Sequence, residues 1–208
     1  MVFTNANPFA GYELAEHLRD CILPYLEGTT RGLPDRVCIT TGQIAWDDCE
    51  CGQLVVSLDS PYESGTFPNP WDATENAGTR KCGAPLFVFQ YTVSMLRCAP
   101  TGDDVGNPPP CSEVDASARV AIEDAWAVRA GLMCCLCAGS TRTNGIKLFD
   151  RYTIGPQTMV GPMGGCQGSA VTVRIGVPNG GYPCDISEGE WWLYCEHGIR
   201  PTTGTSAS

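Results

Sequence analysis

Hydrophobic positions along this chain follow two periods, and the clearest run of each lies between Leu86 and Gly139. In LFVFQYTVSMLRC, Phe87, Phe89, Tyr91, Val93 and Met95 alternate with Gln90, Thr92 and Ser94. A period of two sends successive side chains to opposite faces, so the stretch predicts a long strand with one buried face over most of its length. After the Pro/Gly loop APTGDDVGNPPPC the period changes. Ala121, Ala125, Val128, Leu132 and Cys135 step by four, three, four and three, which predicts a long helix with one apolar stripe, widened by Ile122, Met133 and Leu136. Ser112 followed by Asp115 has the look of a capping box, and Glu113 and Asp115 put negative charge at the positive end of the helix dipole. Gly139 can close the far end. Neither element buries its apolar side alone, so the simplest arrangement lays the helix across the sheet.

The same periods place the flanking elements. Leu14, Leu18, Cys21 and Ile22 share one face of a helix over Tyr12 to Leu23, which Pro24 should end or kink. Met1 to Gly11 before it reads as an irregular arm. Arg36 to Thr40 is a short strand. Leu54, Val56 and Leu58 alternate with Val55, Ser57 and Asp59 in a half-buried strand. Lys147 to Ile154 is a further strand, and Ala170 to Val177 another, with Val171, Val173, Ile175 and Val177 on one face. Between these two, Gly155-Pro156, Gly161-Pro162 and Gly164-Gly165 read as a tight connection between antiparallel strands. The predicted class is α+β: a mostly antiparallel sheet packed against one long helix and a shorter N-terminal helix, with long Pro/Gly-rich loops. One domain is expected over residues 1–200, with an inserted loop at about 60–85 and a flexible polar tail over 201–208.

That inserted loop, SPYESGTFPNPWDATENAGTRKCGAP, is long for a compact domain, and such segments often carry binding or assembly. Tyr62, Phe67 and Trp71 supply apolar anchors that either dock on a neighbour or pin the loop onto its own domain. Charge narrows the partners. With 13 Lys and Arg against 23 Asp and Glu, the net charge of −10 disfavours a DNA-binding groove. It suits a passage through which DNA slides, although solubility is the simpler account. No apolar run reaches the ~18 residues of a membrane span. The N-terminal stretch lacks the basic start and apolar core of a secretory signal, so synthesis in the cytoplasm is expected.

The 13 cysteines pull the other way. An odd count leaves at least one thiol free or paired between chains. A chain of 208 residues does not need staples, and Cys21, Cys98 and Cys135 sit inside apolar patterns, where a thiol acts as a small hydrophobe. Most are therefore expected to be reduced core residues. Asp47, Asp48, Cys49, Glu50 and Cys51 cluster beside Trp46, but C-x-C is short for a zinc knuckle and no matching C-x-x-C stands nearby. An acidic loop is the simpler reading. Cys184, Cys195 and His197 match no closed zinc pattern, and the end that also holds Trp191, Trp192 and Tyr194 reads as an aromatic cover. The chain has two histidines, His17 and His197. His17, beside Glu16 on the first helix, is read as solvated. G-x-S-x-G, H-E-x-x-H and Walker-type loops are all missing, and the Gly-Pro segment precedes a strand rather than a helix, unlike a phosphate cradle. Neither catalysis, a cofactor nor a metal is expected.

Taken as a whole, VSMLRCAPTGDDVGNPPP leading into DASARVAIEDAWAVRAGL resembles the small neck and tail-completion proteins of long-tailed actinobacterial phages, the tail terminator or head-to-tail connector type. DRYTIGPQTMVGPMGGCQGSAVTVRIGV is similar to their closing part. The resemblance covers roughly Leu86 to Gly139 and Asp150 to Val177. It implies a structural virion protein without an active site, assembled in the host cytoplasm. Six copies would ring the head-proximal end of the tail tube, contact tube and head-completion proteins, and let DNA pass. A ring needs one patch on each subunit to meet a different patch on the next. Tyr62 to Trp71 and the Met1 to Gly11 arm are the candidates for reaching a neighbour, and Asp47, Asp48, Glu50, Asp103 and Asp104 for lining the lumen. The competing readings are an adaptor, stopper or tube subunit; a secreted, disulfide-bonded binding module using Trp46, Trp71, Trp191 and Trp192; and a zinc domain built on Cys134, Cys135 and Cys137 or on Cys184, Cys195 and His197.

Overall fold

A computed structural model describes residues 10–42, 52–71, 86–102, 106–138, 149 and 151–178. The elements run α1 (Ala10–Glu27), β1 (Arg36–Thr41), β2 (Gln53–Ser64), β3 (Leu86–Cys98), α2 (Cys111–Ala138), β4 (Arg151–Met163) and β5 (Cys166–Pro178). The five strands form one sheet in the order β1-β2-β3-β5-β4. β1 runs parallel to β2, and the other three pairings are antiparallel. The predicted α+β class with a mostly antiparallel sheet, a long helix and a shorter first helix is what forms.

The period-of-two rows become the inner face of the sheet. Val56, Val93 and Val171 stand side by side across β2, β3 and β5, and Leu58, Tyr91 and Val173 form the next row. Leu14, Leu18, Ile22 and Leu26 of α1 and Val128, Leu132 and Leu136 of α2 close over them in one buried cluster with Phe149. Each such side chain contributes about 1.5–3 kcal/mol on full burial. The outer face is more covered than alternation predicts: Val55, Val88 and Leu96 are as buried as the inner row, so β2 is not half-buried over its first half.

Several boundaries move, each for a physical reason. α1 continues through Pro24 to Glu27. Pro24 lies on the exposed side, where the carbonyl it strands one turn back can meet water, and buried Leu26 holds the last turn against the core. Thr29 then caps that turn, its N–H and its hydroxyl both donating to the Leu26 carbonyl. α2 begins at Cys111, and the Pro110 carbonyl accepts from the N–H groups of Glu113 and Val114. Ser112 therefore lies inside the first turn and is not the cap. The insertion starts only after Ser64, because β2 stays paired with β3 to that residue across a bulge at Leu58/Ser60.

The Gly-Pro segment read as a connection is mostly strand, and β4 extends to Met163. β4 is an edge strand, where a missing N–H need not break a ladder, and register shifts at Ile154/Gln157 and Val160/Met163 absorb Pro156 and Pro162. Only Gly164 and Gly165 make the turn, with φ of 54° and 74°, the two positive values that a two-residue type I′ hairpin requires. Met163 and Cys166 pair directly across it.

Candidate assembly surfaces

α2 has two apolar stripes. Ala121, Ala125, Val128, Leu132, Cys135 and Leu136 are buried, as the helical period predicts. Ile122 and Met133, expected to widen that stripe, are instead 52% and 42% exposed, with Trp126 at 71% between them. At about 100° per residue these three side chains fall within a narrow band roughly a third of a turn away from the buried stripe. α1 and the sheet fill only the first side. The second stripe lies on the flank that reaches β4, where Arg129 donates to the Gly155 carbonyl and Gln157 to the Ala125 carbonyl. Trp126 was missed in the sequence reading; its signal is an i, i+4, i+11 spacing with Ile122 and Met133.

The segment after β2 folds back over the outer face of the sheet. The Tyr62 hydroxyl donates to the Pro68 carbonyl at 2.7 Å, and the backbone N–H of Trp71 donates to the Glu63 carbonyl at 2.7 Å. The Phe67 ring lies 3.1 Å from where a Cβ on Gly176 of β5 would stand, and the Trp71 indole 3.3 Å from the same point on Gly65. All three predicted anchors are half-buried against their own chain. Beside them, Ser60, Tyr62, Asn69, Gln90 and Arg174 line an open cleft of about 440 Å3. Arg174 is held there by the Gln90 side-chain oxygen at 2.8 Å. Partial burial raises the Tyr62 hydroxyl above its ordinary pKa, and Arg174 opposes that shift.

A buried ion pair ties the opposite end together. Arg97 is the next inner-face position after Met95, and its Nε donates to Asp124 Oδ2 of α2 at 2.8 Å. Its Nη2 also donates to the Gly32 carbonyl at 2.7 Å, which secures the connector between α1 and β1. Arg31, Arg97, Glu113 and Ser117 line a cleft of about 410 Å3 at this end. Sequence reasoning passed over both charges. The available signal was an arginine on a buried strand row and an acid beside a buried helix stripe.

The cysteines overturn an expectation. Cys21 of α1 and Cys135 of α2, which the apolar pattern predicts to be reduced core thiols, form a disulfide across 114 residues with Cα atoms 5.7 Å apart. Cys98 is also disulfide-bonded, as is Cys166, its register partner on β5. Long-range pairing of this kind has no local sequence signal. Cys38, Cys111, Cys134 and Cys137 are free thiols. Hydrogen bonding to Cys134 raises the Tyr25 hydroxyl, and Cys137 does the same to Tyr152. His17 is not solvated. It is half-buried, with Nε2 3.2 Å from Cys135 Sγ and 4.0 Å from Cys21 Sγ. Its ligand atom and those of Cys21 and Cys135 all lie within 4.8 Å of one another, a metal-ligand type of grouping whose two sulfurs are here joined to each other. Of the cysteine clusters named from sequence, Cys134, Cys135 and Cys137 lie within one turn of α2, but only Cys135 belongs to this set.

Asp47, Asp48, Glu50, Asp103 and Asp104 lie outside the described residues, as do Met1 to Phe9, Trp46, and Cys184, Trp191, Trp192, Cys195 and His197. Among the described residues no helix is long and apolar enough to cross a membrane. No protein-family model matches the chain, and no curated protein does. Among solved structures, the chain is similar to the sheath/tube terminator, in its extended state, of an extracellular contractile injection system, PVC. Identity is 12% and the TM-score 0.33, over 99% of this chain and 64% of that one. The chain thus spans just under two thirds of that protein's length, and a likeness of this size carries no inference about its partners.

Proposed function

We propose that the chain is a structural virion protein of a long-tailed phage: a tail terminator whose copies close into a ring of six, cap the tail tube and join it to the head. The observation that carries this reading is the exposed Ile122–Trp126–Met133 stripe beside the β4 edge. A large apolar band that a subunit leaves uncovered marks an interaction surface. A closed ring of identical subunits uses such a band against a different patch on the next copy. Pro156 and Pro162 blunt the β4 edge against open-ended strand addition, which favours a closing contact through side chains over sheet extension. The half-buried Tyr62, Phe67 and Trp71 offer the second patch. The acidic balance suits a lumen that DNA crosses without sticking, with Asp47, Asp48, Glu50, Asp103 and Asp104 as its lining. An adaptor or stopper ring of the neck would use the same surfaces. No catalytic step is part of this role.

Mass photometry and electron microscopy of the purified chain test it, with a ring as the expected particle. A lone monomer overturns the proposal. It would favour the second reading, a disulfide-bonded binding module, for which the Cys21–Cys135 bond and the bonded Cys98 and Cys166 speak.

A further inference from the structure

We propose that His17, Cys21 and Cys135 form a binding site for a thiophilic divalent cation of the zinc class once the Cys21–Cys135 disulfide is reduced. The disulfide uses only two of the three groups. The imidazole stands against both sulfurs and is the third group of a ligand set. His17 and Cys21 are one turn apart on α1 and share a face, while Cys135 meets them from α2. With zinc–sulfur bonds of about 2.3 Å and zinc–nitrogen bonds of about 2.1 Å, a tetrahedral site has N···S edges of about 3.6 Å and S···S edges of about 3.8 Å. The observed N···S distances of 3.2 and 4.0 Å already straddle that edge. Only the two sulfurs must move apart, and the 5.7 Å between their Cα atoms is compatible with either linkage.

The donor set selects the ion. Two thiolates and an imidazole suit zinc and exclude the hard cations, which want oxygen. A fourth position is left for water. The chemistry balances as two steps. A dithiol passes two electrons and two protons to the disulfide, which becomes two thiols while the reductant becomes a disulfide; with a phosphine, water supplies both protons and the oxygen of the phosphine oxide that forms. The cation then displaces both thiol protons and binds the two thiolates and the neutral imidazole. Disulfides do not persist in a reducing cytoplasm. The ion would hold α1 to α2 there, at the point the disulfide holds in oxidising surroundings. This inference stands whether or not the chain forms a ring.

The test is cobalt titration of the full chain, reduced with a phosphine in metal-free buffer. The reduced wild type is expected to take up one equivalent of cobalt that the oxidised chain does not. That equivalent should show the visible absorption of a tetrahedral site and a sulfur-to-metal charge-transfer band, and zinc should displace it. His17→Gln and Cys21→Ser should each lose it. His17→Gln keeps the disulfide, so circular dichroism of its oxidised form checks that the fold is intact. Equal cobalt uptake by the wild type and both variants overturns the proposal, as does no uptake by the reduced wild type. Unfolding on reduction that zinc does not reverse overturns it too.

Discussion

The two helices of this molecule divide their surfaces differently. α1 buries Leu14, Leu18, Ile22 and Leu26 completely, and its exposed large hydrophobic side chains are Tyr12 and Tyr25, each with a polar hydroxyl, the second bonded to Cys134. α2 buries an equivalent row but also exposes Val114, Ile122, Trp126 and Met133, none of which gains from water beyond the indole N–H. α1 is thus finished once it lies on the sheet. α2 is finished on one side only. The contrast separates what folds the subunit from what the subunit presents, and each side can be broken on its own.

The largest effect is expected where the inner side of α2 holds a charge. Asp124→Ala leaves Arg97 buried without its carboxylate, and breaking a buried pair costs about 3–5 kcal/mol. Denaturant unfolding of the single variant should show that loss. The double variant Arg97→Met/Asp124→Ala should recover much of it, because well-packed apolar side chains replace a buried pair at little cost. A single variant as stable as wild type would mean that this end of α2 is not core.

Next in size is the point where the two helices touch. A Cβ on Gly131 of α2 would stand 2.9 Å from the Ile22 Cα and 3.0 Å from the Cys21 carbonyl, both backbone atoms of α1. Gly131→Val must push the helices apart, beside the Cys21–Cys135 bond, at an overpacking cost of about 1–3 kcal/mol. Gly131→Ala sharpens the comparison. Helix propensity favours alanine by about 1 kcal/mol, so the close approach costs about 1 kcal/mol more than whatever net loss is observed.

How much of this was legible depended on range. The rows Phe89 to Met95 and Val171 to Ile175, and the stripe Ala121 to Leu132, were readable because strand and helix periods are local and one side of each is core. The span of β4 was hidden, because Pro156 and Pro162 signal a break until an edge position is known. α1 outran Pro24 because burial of Leu26 outweighed a local penalty. Of the candidate surfaces, Tyr62, Phe67 and Trp71 were picked out for being aromatic in a long loop. Trp126 was overlooked because Ile122 and Met133, the residues that share its band, read as widening the buried stripe. His17, Cys21 and Cys135 could not be joined by any local rule: they come from two helices, and the two cysteines stand 114 residues apart in sequence.

A smaller effect is expected where α1 seats on the sheet. The Tyr91 hydroxyl donates to the Gly11 carbonyl at 2.7 Å inside the core. Tyr91→Phe should cost about 1 kcal/mol at neutral pH. Burial raises the Tyr91 pKa above its ordinary value. The folded chain therefore keeps a proton that the unfolded chain gives up near pH 10. This contribution is whole below about pH 10 and is lost as the pH climbs toward the raised folded value. The phenylalanine variant should consequently lose stability less steeply in alkali, measured as the unfolding midpoint against pH.

The smallest effect on folding should come from the residue on which the proposed ring would depend most. Trp126 touches solvent over most of its surface, so Trp126→Ala should change the stability of the isolated subunit by no more than about 0.5 kcal/mol. In a ring the same side chain would sit inside a contact, where truncating a central tryptophan typically costs 2 kcal/mol or more, and the loss recurs at each junction. Trp126→Glu adds a charge that must be desolvated at every one of them. The two measurements, an unfolding curve and a particle mass, should therefore diverge: unchanged stability, dispersed ring. If stability falls with the ring, the outer stripe is covered by the subunit's own chain and α2 is a core helix on both sides. If neither changes, the stripe is not the surface that meets the next copy.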